Sequence, residues 1–322
     1  MKTLSNDQIE LIDAILAERD VGGLTPAIFE KDIHVTDALC AIFGERFSGG
    51  ALYFCGGTSL SKAYHMVERM SEDIDLKVVI DPEQAMSQSA KRLHLSALKK
   101  EVSARLEAIG FIEDLAKRSA QNANHYFASG WAYRPVYQHD ATLRPELKLE
   151  ITARAPVSPP QLLALTYLAD RFGGLSEGSV ADILCVSPAE TMAEKVLSFL
   201  RRYAQFNAGF NKQSWDDTLV RHIFDVYCMD NLQPNLMSDA CFGFPALVAV
   251  DQQEFGSQFP AFIDNPKQVL VTSLAAIGCD QDVVAQYEQK LLPLIFSDQK
   301  PTFITAFNEF KRVAESLLNT LK

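Results

Sequence analysis

GGTSLSKAYHMVERMSEDIDL, residues 56–76, sets both the fold and the chemistry expected of this chain. The apolar run Ala51-Leu52-Tyr53-Phe54-Cys55 leads into it and stops at Gly56-Gly57, the pattern of a buried strand ended by a turn. Thr58 to about Arg69 predicts a helix. Asp73–Ile80 (DIDLKVVI) predicts a second strand, stopped by Asp81-Pro82. A helix of that length returns the chain antiparallel and sets the second strand beside the first.

Two chemical features coincide in this segment. Glycines let a backbone approach a ligand closely, and the first free N–H groups of a helix attract phosphate. Gly56, Gly57 and the hydroxyls of Thr58 and Ser59 are therefore candidate nucleotide-binding groups. Asp73 and Asp75 lie two apart on a strand and share a face, while Ile74 points to the core. Two convergent carboxylates suit Mg²⁺, which takes a few carboxylates together with phosphate oxygens. A phosphate cradle beside a Mg²⁺ site is the layout of phosphoryl or nucleotidyl transfer. A Gly-Gly pair alone is usually only a turn, and an Asp-x-Asp alone is usually a solvated strand end; their order and spacing carry the expectation. GxxxxGK[ST] and GxGxxG are both missing, so neither a P-loop nor a dinucleotide-binding turn is expected.

Working outward, residues 5–19 and 26–47 predict helices, the second opening at Thr25-Pro26. Residues 84–109 predict a long amphipathic helix with Lys91, Arg92, Lys99, Lys100 and Arg105. WAYRPVY (131–137) predicts a strand, followed by a polar loop through His139-Asp140. PELKLEIT (145–152) alternates strictly, with Leu147, Leu149 and Ile151 on one face and Glu146, Lys148 and Glu150 on the other. Pro156 to Pro160 is the expected boundary between a domain at 1–155 and a mainly helical one at 156–322. In the latter, Ser187-Pro188-Ala189-Glu190 predicts a capping box, opening a helix that buries Val196, Phe199, Leu200 and Tyr203. A partner helix at about 216–229 buries Leu219, Ile223, Val226 and Tyr227, and further helices are expected at 281–296 and 301–320. The fold class is α/β of the α+β kind: a small mixed sheet flanked by helices, plus a helical C-terminal domain.

Composition narrows the class further. The 322 residues are 48% hydrophobic and 22% charged, as in globular proteins. No apolar run approaches the roughly 20 residues of a membrane helix, and the N-terminus lacks a signal core, so no membrane association and a cytoplasmic location are expected. Six singly spaced cysteines argue against a zinc cluster or disulfide framework. No HExxH or GxSxG is present. The net charge of −11 opposes indiscriminate duplex binding, yet residues 86–155 carry eleven Lys+Arg against seven Asp+Glu, while 230–300 carry three against nine. Such blocks are commonly solvated helix faces; the functional alternative is that the middle of the chain faces a polyanion. Trp131, Tyr133 and Tyr137, near Arg134, either stack on a base or are buried strand aromatics.

Gly56-Gly57-Thr58, a helix, then Ser71-Glu72-Asp73-Ile74-Asp75-Leu76 resembles the signature of polymerase-β-type nucleotidyltransferases, and more narrowly the AbiEii/AbiGii-toxin branch, the toxins of type IV toxin–antitoxin and abortive-infection systems. Glu30-Lys31-Asp32, Glu194-Lys195 and the run Arg221-His222-Ile223-Phe224-Asp225-Val226-Tyr227 are similar to further motifs of that branch. The resemblance spans roughly residues 25–230. Thr58 stands where the wider superfamily often has serine, and the interval from Gly57 to Asp73 exceeds that of the minimal motif.

The resemblance implies a polymerase-β-type core using NTP and one or two Mg²⁺ ions held by Asp73 and Asp75. It also implies a third carboxylate on a neighbouring strand, for which Glu150 is the candidate; a merely wet sheet face is the alternative. Lys195 and Asp225 become site residues contributed by the C-terminal domain. From the residues alone, Lys195 reads as a snorkelling lysine, and Arg221 and Asp225 as a surface pair one turn apart. Lys62 and Arg69 are possible phosphate contacts. The implied acceptor is RNA, plausibly the 3′ end of tRNA, with the 91–105 helix as a track and a cognate antitoxin encoded nearby. Nucleotidylation of a small molecule or protein, and a non-catalytic binding module of a defence complex, are the competing functions.

Overall fold

The computed structural model describes residues 1–47, 50–80, 87–121, 124–138, 143–173, 180–210, 214–297 and 300–322. The expected stop at Asp81-Pro82, the loop at His139-Asp140 and the predicted helix residues 84–86 lie outside the described residues. The chain divides into two compact units. The first comprises Met1–His65, Met70–Pro156 and Pro160–Val186; the second comprises Met66–Arg69, Val157–Pro159 and Ser187–Lys322.

The first unit runs α1 (Asn6–Glu18), α2 (Pro26–Phe43), β1 (Gly50–Cys55), α3 (Gly56–Lys62), β2 (Asp73–Ile80), α4 (Gln88–Ala108), β3 (Ile112–Gln121), β4 (Tyr126–Ala132), β5 (Glu146–Thr152), β6 (Gln161–Leu165), α5 (Leu168–Gly173) and β7 (Ala181–Cys185). Its strands form one mixed, seven-stranded sheet in the order β3-β4-β5-β2-β1-β7-β6. β1 and β2 pair antiparallel, as expected, although the helix between them spans only Gly56–Lys62, and β2 pairs parallel with β5. Alternation decides which face is dry. Leu52 and Phe54 of β1, Ile74, Leu76 and Val78 of β2, and Leu147, Leu149 and Ile151 of β5 are buried in one cluster with Leu39 and Ile42 of α2 and Leu98, Val102 and Leu106 of α4. Asp73, Asp75, Lys148 and Glu150 consequently point to the opposite face.

Several elements depart from expectation. α2 ends at Phe43 rather than 47. The strand expected over 131–137 stops at Ala132: the Arg134 amide bonds instead to the Lys2 carbonyl, and Pro135 has no amide to donate. The helix expected to reach Arg69 ends at Lys62, where the amides of Ala63 and Tyr64 both turn to the Ser59 carbonyl and His65 adopts φ 53°. The main passage between the units falls at Val186-Ser187 rather than at 156–160, because β7 pairs with β1 and ties residues 161–185 to the sheet.

The second unit contains α6 (Pro188–Asn207), α7 (Arg221–Leu232), α8 (Leu236–Phe255), α9 (Pro260–Asp264), α10 (Pro266–Ile277), α11 (Gln281–Gln286) and α12 (Phe303–Leu318). α6 packs on α7, α8 and α10, burying Val196, Phe199, Leu200 and Tyr203 as predicted. On α7, Ile223 and Val226 are buried as predicted, together with Phe224, Met229 and the acids Asp225 and Asp230, whereas Tyr227 is only half-buried. The Ser187 hydroxyl caps α6 by accepting the Glu190 amide, while the Glu190 carboxylate takes the amides of Val157 and Ser158. All six cysteines are free. Among the described residues no helix is long and apolar enough to cross a membrane.

Candidate active site

The site begins at the C-terminal end of β1. Gly56 adopts φ +79°, a conformation that L side chains rarely take. A Cβ there would fall well inside contact distance of Asp75 Oδ2 and 3.0 Å from the Cβ and Cγ of Asp75. Only glycine therefore lets the backbone lie against the Asp75 carboxylate, and Gly56 and Asp75 form one structural element. Cys55 and Asp75 are cross-strand partners, with the Cys55 thiol donating to the Asp75 carbonyl at 3.3 Å. Gly57 is not among the positive-φ glycines; it needs no special conformation.

The groups expected to grip phosphate are turned inward. Thr58 and Ser59 are buried. The Thr58 hydroxyl bonds the Ser71 hydroxyl at 2.8 Å, stitching α3 to the start of SEDIDL, and the Ser59 hydroxyl donates to the Gly56 carbonyl at 2.9 Å. The Lys62 ammonium bonds Asp32 Oδ1 at 2.6 Å and the Thr166 carbonyl at 3.2 Å, while Asp32 Oδ2 accepts the Leu168 amide. Lys62 is thus a buried internal cation in this unit, in place of the phosphate contact expected of it.

Parallel pairing of β2 with β5 sets Asp73 beside Lys148 and Asp75 beside Glu150, so Glu150 stands on the acidic face as expected. The neighbouring strand β4 contributes only Ala128, Gly130 and Ala132 at the positions paired with Glu150, Lys148 and Glu146, leaving that face low. Cations from and beside β5 lie on the acids: Arg144 on Asp73 and Lys148 on Glu150, with Lys117 of β3 on Glu146 at 2.5 Å. Burial works against the charged form of Lys148, but Glu150 beside it more than compensates and raises its pKa. Among the described residues no three His, Cys, Asp or Glu side chains converge into a complete cation site. Asp73, Asp75 and Glu150 share a face and a register, but they do not close a cage.

Behind this row lies a clamp that the sequence marked only as Glu30-Lys31-Asp32. Lys31 is fully buried; its ammonium reaches the carbonyls of Arg144 (2.5 Å) and Glu146 (2.8 Å) and pairs with Glu72 at 3.3 Å. Glu72 in turn accepts the Arg144 amide at 3.0 Å. Burial lowers the Lys31 pKa and raises that of Glu72, each opposed by the partner's charge. Glu30 accepts the amides of Val136 and Tyr137. Sequence spacing held no signal for Arg144.

In the second unit Asp225 is fully buried and accepts two bonds from the Arg69 guanidinium, at 2.6 and 2.7 Å. Lys195 lies 2.7 Å from its other side. Burial acts to raise the Asp225 pKa, but Arg69 and then Lys195 outweigh it and hold the carboxyl well below the usual range. The expected surface pair of Arg221 with Asp225 gives way to this trio, because a carboxylate without solvent needs close, bidentate neutralisation that an exposed helix neighbour does not supply. Arg69 is likewise an internal ligand of Asp225, and the trio anchors the short segment Met66–Arg69 to α6 and α7.

Comparison with known proteins adds a family. The family model described as "Nucleotidyl transferase AbiEii toxin, Type IV TA system" matches residues 37–273, well over half of the chain. The chain belongs to the AbiEii family of nucleotidyltransferase toxins. A solved structure, MenT4, a nucleotidyltransferase toxin from Mycobacterium tuberculosis H37Rv, is 18% identical over 70% of each chain, with a TM-score of 0.36. None of the curated proteins matches.

The AbiEii match includes Gly56, Asp73, Asp75, Glu150, Lys195 and Asp225 and extends past 230, where the expected resemblance ended; it begins after Glu30-Lys31-Asp32. Membership makes this chain a nucleotidyltransferase and implies an NTP substrate and an antitoxin partner. The remaining candidates for nucleic-acid contact divide by burial. Trp131 and Tyr133 belong to the core, and Tyr137 donates to Asp13 at 2.8 Å, so these aromatics are structural. On α4, Lys99 points inward over the Phe127 ring and bonds Asn124, and Arg105 donates to the carbonyls of Ile42 and Glu45. Arg92 and Lys100 are exposed.

Proposed function

We propose that this AbiEii protein is a Mg²⁺-dependent toxin that transfers a nucleoside monophosphate from an NTP to a hydroxyl of RNA, with the 3′ end of tRNA as the acceptor. The observation that carries this reading is the placement of Asp73 and Asp75 on one face of β2, with Asp75 seated against the only backbone that admits it, Gly56.

The donor set suits the metal. Mg²⁺ is held by one or two carboxylates plus substrate phosphates rather than by an all-protein cage, and a pair of hard oxygen donors without a converging third group matches that habit. Asp73 and Asp75 are the residues that would hold it, with Glu150 as the third acid on the same face. When bound, the ion would neutralise phosphate charge and favour pyrophosphate as a leaving group. The chain's own part is positioning. Gly56 fixes the Asp75 carboxylate; the Thr58–Ser71 bond fixes the glycine turn against the acidic strand; the amides of Gly57 and its neighbours are the donors that would meet the nucleotide's phosphates. The acceptor oxygen bonds to the α-phosphorus as the bond to the bridging oxygen of the β-phosphate breaks, and little covalent work falls to the protein. Exposed Arg92 and Lys100 on α4 are the residues through which an RNA acceptor would be held.

Incubation of the protein with each α-labelled NTP, Mg²⁺ and total RNA tests the reading. Label should enter a small RNA from one NTP and vanish with EDTA and with Asp73→Asn/Asp75→Asn. Absence of transfer from all four NTPs, or label found only in protein or in a small molecule, rejects the RNA acceptor.

A further inference from the structure

Three acids stand within four residues, Glu72, Asp73 and Asp75, and two are matched by a named cation in very different ways. Lys31 meets Glu72 with side chains 0% and 7% exposed, a pair sealed from water. Arg144 meets Asp73 with side chains 36% and 25% exposed, a pair open to exchange. The main chain of Arg144 is nevertheless fixed: its amide bonds Glu72 at 3.0 Å, and its carbonyl and that of Glu146 bond Lys31 at 2.5 and 2.8 Å. The backbone at 144 is therefore anchored, while its side chain, about a third in solvent, ends on a carboxylate placed to take a divalent cation.

We propose that Arg144 is a counter-ion that competes with the divalent cation for Asp73 and, once displaced, binds the nucleotide's phosphates. This rests on the metal-dependent reading above. The physical basis is charge balance. With no cation present, Asp73 and Asp75 on one face repel each other, and Arg144 relieves this. When a cation takes Asp73, the guanidinium loses its partner beside an arriving polyanion, and its planar fork suits phosphate oxygens. Anchoring by Lys31 and Glu72 means that only the side chain must move, so little order is lost in the exchange. Lys148 on Glu150 repeats the arrangement one register step away.

The test uses the full chain and Mn²⁺ binding followed by electron paramagnetic resonance without nucleotide. Wild type should bind Mn²⁺, and Asp73→Asn/Asp75→Asn should abolish it; if wild type shows no such site, both the metal reading and this proposal fall. Arg144→Ala should raise Mn²⁺ affinity about two- to fivefold, the loss of one part-exposed competing ion pair. Arg144→Lys, which keeps the charge, should stay near wild type. In saturating Mg²⁺, Arg144→Ala should bind the non-cleavable α,β-methylene analogues of the ribonucleotides about tenfold more weakly. Because the anchoring bonds use the main chain of residue 144, the variant keeps the clamp, and its circular dichroism melt should match wild type. A specific wild-type Mn²⁺ site with no gain in Arg144→Ala, or a gain without weaker nucleotide binding, overturns the proposal and leaves the metal reading standing.

Discussion

Gly56→Ala is the sharpest perturbation the site offers. The substitution places a side chain at φ +79°, which costs about 1–2 kcal/mol for an L residue. It also drives the new Cβ onto Asp75, whose Cβ and Cγ would stand 3.0 Å away. Asp75 has no room to retreat as a whole, because its backbone is paired on both sides, to Cys55 of β1 and Glu150 of β5. The carboxylate must rotate off its position, an overpacking cost of roughly 1–3 kcal/mol. The two together give about 2–5 kcal/mol of lost stability, assigned to the first unit. Trp131, buried in that unit's core, reports it: urea unfolding followed by its fluorescence in a Trp215→Phe background should move to a lower midpoint. Gly57→Ala, with no positive φ to violate, should stay within about 1 kcal/mol of its parent. At a temperature where Gly56→Ala is still folded, its specific Mn²⁺ site should be lost. A Gly56→Ala protein within 0.5 kcal/mol of its parent and with Mn²⁺ binding intact would falsify the coupling of Gly56 to Asp75.

Acid should act first on the second unit. Burial, and then Lys195, push the His222 pKa down to about 3, so the folded state resists the proton that the unfolded state accepts near 6.5. Stability should therefore fall by about 1.4 kcal/mol per pH unit from this residue below pH 6.5, a slope that His222→Gln removes in urea titrations. Asp225, held below its usual range, adds stability that is full above about pH 4 and lost below it, and Asp225→Asn should cost about 3–5 kcal/mol at pH 7. Lys99, pushed down to about 8 by burial, should be replaceable by Met with stability unchanged or raised by about 1–2 kcal/mol. RNA binding in filter assays should survive Lys99→Met and weaken in Arg92→Ala/Lys100→Ala, with a shallower salt dependence; the reverse pattern would reject an α4 track. Lys31→Met strips the clamp of its ammonium and leaves Glu72 buried without it. Thermal unfolding should show a loss equivalent to about 3–5 kcal/mol.

Period-two alternation made the central strands legible. Leu147, Leu149 and Ile151 had to be dry together, so Glu150 had to share the wet face; the same rule put Asp73 and Asp75 side by side. β3 gave no such signal. It lies at the sheet's edge, next only to β4, and its Glu113, Asp114, Lys117 and Arg118 need no apolar face there. The helix expected from Thr58 to Arg69 stops at Lys62 for a tertiary reason: the chain takes a left-handed turn at His65, and residues 66–69 are held in the second unit by Asp225.

The site's charges show where local rules stop. Arg221 and Asp225 satisfy the i,i+4 spacing, yet Asp225 is matched by Arg69, 156 residues away in sequence. Spacing rules describe pairs in water, worth a few tenths of a kcal/mol. A fully buried carboxylate faces a desolvation penalty far larger, and it selects whatever cation the fold can bring into bidentate contact. Lys62 follows the same logic in the first unit: its helix position suggested a phosphate ligand, but Asp32 and the Thr166 carbonyl already satisfy it. What separates Arg144 from these buried cations is exposure. Arg69 and Lys31 are sealed with their partners, Lys62 is itself buried against a slightly exposed Asp32, and all three hold the frame, whereas Arg144 sits on Asp73 with a third of its side chain in solvent. In a site whose substrate is a polyanion, a cation that can exchange partners is the one to which binding can be coupled, and burial rather than sequence spacing distinguishes it from the rest.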